Sequence, residues 1–262
     1  HEKIAHEKKD IPLPCNIFSN RNNSRGIDIS EMSNLNLIKN EISKYENDSI
    51  DAVSIYNNRI EEGVKKNSAI SIANGKNIGT VSYDDPNHLK NSLETNNSFG
   101  WSQVDVKKRA KILLDISNDL ESSPYQLIYY LINEAGKTIQ NAIDEIREAI
   151  DFLRYYSDQM INIHSSERIL EGPTGEENVL SYGPKGHFIC ISPWNFPVAI
   201  LIGQISAALI TGNKVTLKPS EHTSILGYIV TKAFHKNGVP ADALQLVLGD
   251  GTYGDILSKL QN

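Results

Sequence analysis

Two short polar motifs, separated by the length of one helix, carry the side chains in this chain that could do chemistry. Ser192–Pro197 (Ser-Pro-Trp-Asn-Phe-Pro) follows an apolar run, and Lys218–Glu221 (Lys-Pro-Ser-Glu) follows the next one. The amide of Asn195 can donate a hydrogen bond to a developing oxyanion, and open α/β sheets bind ligands beyond the carboxyl ends of their strands. Asn195 could instead cap the helix that Pro197 begins, and residue type and spacing alone favour this cap while leaving the first role open.

The second motif places a cation and a carboxylate where they could meet the same ligand. Lys218 ends a predicted strand, and Glu221 lies in the first turn of the next predicted helix. The alternative is ordinary capping, in which Ser220 caps the helix, Glu221 complements the helix dipole and Lys218 is solvated. Taken alone, this motif favours capping, whereas its place after the Asn195 motif favours ligand binding.

A third candidate is the glycine-rich turn Gly249–Gly254, which follows a predicted strand and opens a predicted helix. Gly251 and Gly254 could admit a pyrophosphate to the N-terminus of that helix. The spacing differs from the G-x-G-x-x-G pattern of dinucleotide-binding turns, so a plain strand-to-helix turn is at least as good an explanation.

Neither cysteine has the surroundings of a nucleophile. Cys190 alternates with Ile189 and Ile191 inside a predicted strand and has no neighbouring base, which favours a structural thiol. Cys15 lies in a polar, irregular segment. Two such cysteines cannot form a disulfide framework, and the spacing of the His and Cys residues suits no metal, so we predict a reducing, cytoplasmic compartment and no metal site.

The elements that must position these motifs alternate between strand and helix. The predicted strands are Val179–Tyr182, His187–Ser192, Lys214–Leu217 and Leu244–Leu248. Helices Pro197–Thr211 and Ser220–Asn237 separate the last three, and another helix starts near Tyr253. This alternation predicts an α/β fold with the first half of a doubly wound parallel sheet.

Upstream of this sheet the spacing of apolar residues predicts mainly helices. They are expected at Ser30–Tyr45, Val106–Leu120, Ser123–Gly136 and Thr138–Asn162, with a capping box at Ser102 and Asp105 and a hairpin over Ser71–Tyr83. The charged residues of the last helix are expected to form a solvated face: Asp144, Glu145, Arg147 and Glu148. Residues 1–30 are polar and irregular, as in a linker from another domain.

Composition limits the classes of partner. The formal charge of −6 argues against a general nucleic-acid surface, because phosphate binding depends on clustered Lys and Arg. The longest apolar stretch, Phe196–Ile210, is broken by polar residues and is too short to cross a bilayer, so it predicts a buried helix and no membrane span. A small molecule is the expected partner.

Both polar motifs resemble the nucleotide site of the aldehyde dehydrogenase family. The resemblance implies that Asn195 holds the thiohemiacetal oxygen, and that Lys218 and Glu221 bind the adenosine ribose of NAD, with the carboxylate disfavouring a 2'-phosphate. The cofactor-binding residues that it implies are Ile191, Ser192, Pro193, Trp194, Lys218, Ser220, Glu221, Gly251 and Gly254.

Further phrases resemble one branch of that family, proline utilization A. They are Ile11–Pro14, Asn23–Asp28, Glu134–Thr138, Ile146–Phe152 and Gly172–Glu176. That branch joins an FAD-dependent proline dehydrogenase to an NAD-dependent glutamate-semialdehyde (pyrroline-5-carboxylate) dehydrogenase, and this chain resembles the beginning of the second module. Residues 1–30 would then connect the two modules, and residues 31–262 would be the N-terminal part of the NAD-binding domain, with FAD bound only by the absent first module.

The family's cysteine nucleophile and glutamate base lie beyond these motifs, so the chain is expected to carry half an active site and to be inactive alone. The partners that the resemblance implies are an aldehyde, NAD, the remainder of the same polypeptide and, in the complete protein, further copies in a homo-oligomer. Two alternatives stay open: an aldehyde dehydrogenase for another substrate, and a non-catalytic binding or scaffold domain.

Overall fold

The computed structural model describes residues 12–56, 59–60, 63–94, 100–164 and 168–260 of the chain. Its helices are α1 (Met32–Ser43), α2 (Pro86–Glu94), α3 (Val106–Ser122), α4 (Tyr125–Asn133), α5 (Ile139–His164), α6 (Ala199–Ile210), α7 (Ser224–Lys236) and α8 (Gly251–Ser258). Its strands are β1 (Ile50–Ala52), β2 (Ile55–Tyr56), β3 (Arg59–Ile60), β4 (Lys65–Ile70), β5 (Asn77–Tyr83), β6 (Arg168–Leu170), β7 (Asn178–Leu180), β8 (His187–Ile191), β9 (Lys214–Lys218) and β10 (Leu244–Leu246).

The sheet that carries both polar motifs has the strand order β3-β2-β10-β9-β8. β8, β9 and β10 are parallel, with Cys190 opposite Leu217 and Leu217 opposite Leu246. β2 and β3 extend the sheet with antiparallel pairing. The predicted α/β fold with a parallel sheet is therefore confirmed, and the antiparallel extension is a feature that apolar spacing did not indicate.

The apolar stretch predicted to form a buried helix becomes α6, which packs on β8 and β9 on one side and on α5 on the other. Most of its residues are buried, including the polar Ser206, whose hydroxyl donates to the carbonyl of Ile202. Gly203 lets α5 approach closely, because a Cβ there would lie 3.2 Å from the ring of Phe152. No helix among the residues of the ranges above is long and apolar enough to span a bilayer.

One local prediction needs correction. The predicted capping box of α3 is wrong, because Ser102 lies in a 3₁₀ turn and Asp105 itself is the N-cap, accepting the Lys107 N–H at 2.9 Å. The strand predicted over Val179–Tyr182 is present as β7 and lies outside the parallel sheet formed by the three later predicted strands. It pairs with β6 in a separate two-stranded antiparallel sheet, and its apolar residues Val179 and Leu180 are exposed.

The hairpin predicted around Asn74 and Gly75 is present, formed by β4 and β5 in antiparallel register. Gly75 has a φ of +70°, a conformation that favours glycine, and its turn joins the two strands. The first strand begins at Lys65, upstream of the predicted start. β1 pairs with β5 in parallel, so this hairpin belongs to a second, three-stranded sheet.

The described part of the predicted linker, residues 12–30, lies along the helical layer. The backbone N–H of Ser24 donates to Asp151 of α5 at 2.6 Å, and that of Arg25 donates to Glu121 of α3 at 2.8 Å. Residues 1–11 lie outside the described residues. The role of this segment as a connection between domains stays a prediction.

Candidate functional site

Both polar motifs start side by side at the carboxyl ends of neighbouring strands. Ile191 is the last residue of β8 and pairs with Lys218, the last residue of β9. The backbone N–H of Ser192 donates to the carbonyl of Lys218 at 3.0 Å, which extends this pairing into the first motif. Parallel strands bring these segments together as predicted, at the place where α/β sheets bind ligands.

Asn195 lies on the loop between β8 and α6, at the surface. Trp194, next to it, is 60% exposed, and Asn195 is exposed as well. The helix-cap alternative is wrong, because the N-cap of α6 is Val198 and no side chain of the loop caps the helix. Among the described residues Asn195 has no side-chain hydrogen bond, so its amide remains available to a ligand.

The start of α6 is capped by a side chain from a different helix. Glu145 of α5 accepts the N–H groups of Val198 at 2.8 Å and Ala199 at 3.2 Å. Lys137 Nζ lies 2.9 Å from the other carboxylate oxygen of Glu145 and 4.2 Å from the centroid of the Phe196 ring. Glu145 is only 2% exposed, so its predicted place on a solvated face is wrong.

Lys218 is buried, which excludes the alternative in which it is solvated. Its Nζ donates to the carbonyl of Pro219 at 3.1 Å and lies 4.0 Å from Glu221 Oε2. Burial lowers the pKa of this ammonium group, and the nearby Glu221 carboxylate partly opposes that effect. Gly254 of the third candidate lies over the Lys218 stem, because a Cβ there would be 3.7 Å from Cδ.

Part of the capping alternative is correct for the second motif. Ser220 caps a 3₁₀ turn over Glu221–Thr223 by accepting the His222 N–H at 3.3 Å. α7 starts only after this turn, and its first N–H groups are bound by Glu134 of the α4–α5 connection, at 2.8 Å from Ile225 and 2.9 Å from Leu226. Burial raises the pKa of Glu134 to about 8, despite these two hydrogen bonds.

Helix capping and side-chain packing explain the sequence of the glycine-rich turn without a bound pyrophosphate. The carboxylate of Asp250 caps α8 by accepting the Thr252 N–H at 2.9 Å, so this N–H is already bound. A Cβ on Gly251 would find no described atom within 4 Å, whereas one on Gly249 would lie 2.2 Å from the Tyr253 ring. Gly249 is therefore the glycine that packing requires, and binding by Gly251 and Gly254 stays a prediction.

Trp194 and Glu221 line one groove of about 600 Å³, together with residues of the β4–β5 hairpin such as Ile70 and Tyr83. Thr223 also lines the groove, and its buried Oγ1 has no hydrogen-bond partner in the described part of the chain. The buried hydroxyl of Ser192 is likewise unpartnered within those ranges. An apolar wall and an exposed carboxylate suit a polar ligand with a flat apolar ring, such as a nucleoside.

A larger cleft, of about 1140 Å³, lies between the arm of residues 13–29 and helices α3 and α5. None of the residues that line it belongs to the three motifs.

Cys190 is not placed to act as a nucleophile. Burial raises the pKa of its thiol to about 11 and leaves it protonated at neutral pH. Its structural role, expected from the strand pattern, agrees with this position.

Known proteins resemble the chain along nearly its whole length. The bifunctional protein PutA of Escherichia coli strain K12 is 35% identical over 252 residues, which make up 95% of this chain and 18% of that protein. The 1-pyrroline-5-carboxylate dehydrogenase 1 of Halalkalibacterium halodurans is 37% identical over 158 residues, which make up 60% of this chain and 30% of that protein. This chain thus spans less than a third of the length of either relative.

The fold is shared with a solved structure of this group. A mutant of proline utilization A from Bradyrhizobium japonicum superposes with a TM-score of 0.77 at 33% identity, covering 96% of this chain and 22% of that one. The sequence model of the aldehyde dehydrogenase family matches residues 60–261. The family resemblance predicted from the two polar motifs is confirmed, and the chain belongs to the aldehyde dehydrogenase family.

Proposed function

We propose that this chain is the N-terminal part of a module that oxidises glutamate semialdehyde to glutamate with NAD in proline catabolism. The observation that carries the proposal is the pairing of Ile191 with Lys218, which brings the two motifs to one end of the sheet. Similarity to the bifunctional PutA protein of E. coli over 95% of the chain, and to a 1-pyrroline-5-carboxylate dehydrogenase over 60% of it, supports this substrate. In this proposal residues 1–30 connect the two modules.

The residues of the groove fit NAD. The carboxylate of Glu221 is exposed and can accept hydrogen bonds from the ribose hydroxyls, while the Trp194 ring and the hairpin provide apolar walls. NAD, when bound, supplies the hydride acceptor for aldehyde oxidation.

The chain's own contribution to the chemistry is Asn195. Attack of a thiolate on the aldehyde carbon turns the carbonyl oxygen into an oxyanion, and the Asn195 amide can donate a hydrogen bond to it. Because Cys190 is buried and protonated, we propose that the thiolate and the base that activates water for release of the acid belong to another part of the enzyme.

The test is to express the full-length gene product and to measure NADH formation from glutamate semialdehyde beside a set of simple aliphatic aldehydes. Preference for the semialdehyde by at least tenfold in kcat/KM is expected, a level of discrimination that recognition of its charged groups can provide. Preference for another aldehyde would favour the alternative substrate. No aldehyde oxidation by folded protein would favour the scaffold alternative.

We expect the 262-residue chain alone to show no aldehyde oxidation, because neither of its cysteines is an activated nucleophile. The measurement is NADH formation by the purified chain at high enzyme concentration, with the full-length protein as the positive control. Thiol-dependent turnover that survives Asn195→Ala and disappears on Cys190→Ser would contradict the structural role of Cys190.

Glu221→Gln in the complete enzyme should reduce the preference for NAD over NADP by about tenfold. The substitution weakens hydrogen bonds to the ribose hydroxyls, which contribute about 1.5–3 kcal/mol when one partner is charged, and it removes repulsion of a 2'-phosphate. The ratio of kcat/KM for the two cofactors measures this. Glu176→Gln changes an exposed glutamate outside the groove and should leave the ratio unchanged. An equal NAD-to-NADP ratio of kcat/KM in both variants would show that Glu221 does not contact the cofactor.

A further inference from the structure

No hydrogen bond to another described side chain fixes the Asn195 amide. The residue is exposed, and within the described ranges no other side chain holds its amide. Trp194 and Phe196 on either side of it are 60% and 41% exposed. The direction of the amide therefore depends on how the backbone of the loop is held.

A buried carboxylate holds that backbone immediately after the loop. One oxygen of Glu145 accepts the N–H groups of both Val198 and Ala199, and the side chain is almost fully buried. Pro197, between these residues and Asn195, has a fixed φ and no N–H to donate. The path of the chain from α6 back to Asn195 is thus short and stiff, so a displacement of Glu145 would move the Asn195 backbone.

A single cation connects this carboxylate to the residue next to Asn195. Lys137 Nζ is 2.9 Å from Glu145 Oε2 and 4.2 Å from the Phe196 ring centroid, within the range of a cation–π interaction. The Lys137 side chain is only 14% exposed, which strengthens both contacts because less water screens them. Its backbone is fixed by the hydrogen bond from its N–H to the carbonyl of Leu131 at 2.9 Å, after Gly136 with a φ of +68°.

We propose that Lys137 and Glu145 are positioning residues that hold Asn195 where its amide meets the oxyanion. They hold the loop at two points, Phe196 through the cation and the start of α6 through the carboxylate. The proposal rests on the proposed function, since it requires the Asn195 amide to act on a reacting aldehyde. It differs from a purely structural cap of α6, which would stabilise the fold without affecting the chemical step.

A double-mutant cycle in the complete enzyme separates these roles. Glu145→Gln should lower kcat about tenfold with little change in the KM for NAD, because small displacements of a catalytic group reduce rate strongly. In the Asn195→Ala background the same substitution should lower kcat by less than about twofold, since the residue it positions is absent. Equal effects in both backgrounds would overturn the proposal.

Lys137→Met keeps the length of the side chain and removes its charge, so it tests the proposal if Glu145→Gln does not fold. It should show the same loss of kcat and the same dependence on Asn195. The control is Glu134→Gln, which alters another buried carboxyl group, one that lies at the groove and accepts the first N–H groups of α7 instead of α6. Its effect on kcat should be independent of Asn195.

Hydrogen exchange distinguishes failure of this inference from failure of the proposed function. In the complete enzyme, Glu145→Gln should speed exchange of the Val198 and Ala199 amides about tenfold and leave Ile225 and Leu226 unchanged, and Glu134→Gln should do the reverse. An unaltered exchange rate at Val198 would overturn the positioning role of Glu145, whatever the enzyme's substrate. A parent enzyme that exchanges as expected but oxidises no aldehyde would refute the proposed function alone.

Discussion

Replacing Asn195 by alanine in the complete enzyme is expected to lower kcat by about 10² to 10³ while leaving the KM for NAD nearly unchanged. Removal of one preorganised oxyanion donor typically has an effect of this size, because the hydrogen bond strengthens as charge develops in the transition state. The structure makes the substitution informative, since Asn195 is exposed and does not cap α6. Steady-state kinetics with the semialdehyde and NAD measures both quantities.

Asn195→Asp is the companion variant, because it keeps the shape of the side chain and replaces the amide donor with a carboxylate. It should be at least as inactive as Asn195→Ala, since a negative charge would repel the oxyanion. Thermal unfolding should show parent-like stability for both variants, because the Asn195 side chain makes no hydrogen bond to another described residue. Loss of NAD binding with normal single-turnover chemistry would contradict the oxyanion role.

The local part of the fold could be predicted because each element has its own period of apolar residues. β8, β9 and the helix between them follow from short apolar runs and a glycine at the end of the helix, and the structure has them nearly where expected. The apolar residues that begin at Val179 have the same spacing, but they are exposed and their strand, β7, pairs with β6 instead. Apolar spacing indicates that a strand forms, but it does not identify the strand's partner.

Contacts between distant parts of the chain explain most of what could not be predicted at the site. Glu145 binds Val198 across 53 positions, and Glu134 binds Ile225 across 91. A charged residue on an amphipathic helix is usually solvated, so the spacing favoured the wrong position for Glu145. One local signal was available, because Glu145 lies on the same helical face as Ala142 and Ala149, whose small side chains indicate close packing.

The capping alternative placed Lys218 in solvent as well, for a related reason. Its charge suggested solvent, yet its aliphatic stem passes beneath Gly254 and its ammonium group bonds to a carbonyl and approaches Glu221. Long cationic side chains can bury the stem and keep a polar partner at the tip. Both corrections show that, at this site, charge alone does not predict exposure, because buried charges are paired with groups from other elements.

Glu134→Ala is expected to destabilise the chain by about 3 kcal/mol, the other large effect that the structure predicts. The Glu134 carboxyl group accepts hydrogen bonds from the N–H groups of Ile225 and Leu226, and leaving a buried donor unpaired costs about 1–3 kcal/mol. In a domain of this size that loss lowers Tm by roughly 6–12 °C. Glu134→Gln keeps one acceptor oxygen and should lose about half as much, whereas Glu148→Gln, at an exposed position on α5, should match the parent.

The same carboxyl group should also make stability depend on pH. Its pKa in the folded chain is raised to about 8, above the ordinary value of 4.5, so between these values the folded state binds more protons than the unfolded state. The contribution of Glu134 is therefore complete below about pH 4.5 and is lost as pH rises through 8. Urea unfolding at pH 5, 7 and 9 should show the parent losing stability relative to Glu134→Gln as pH rises. Parallel pH profiles for the two proteins would mean that Glu134 does not change its protonation between folded and unfolded states, and that the α7 N-terminus holds it as a carboxylate throughout.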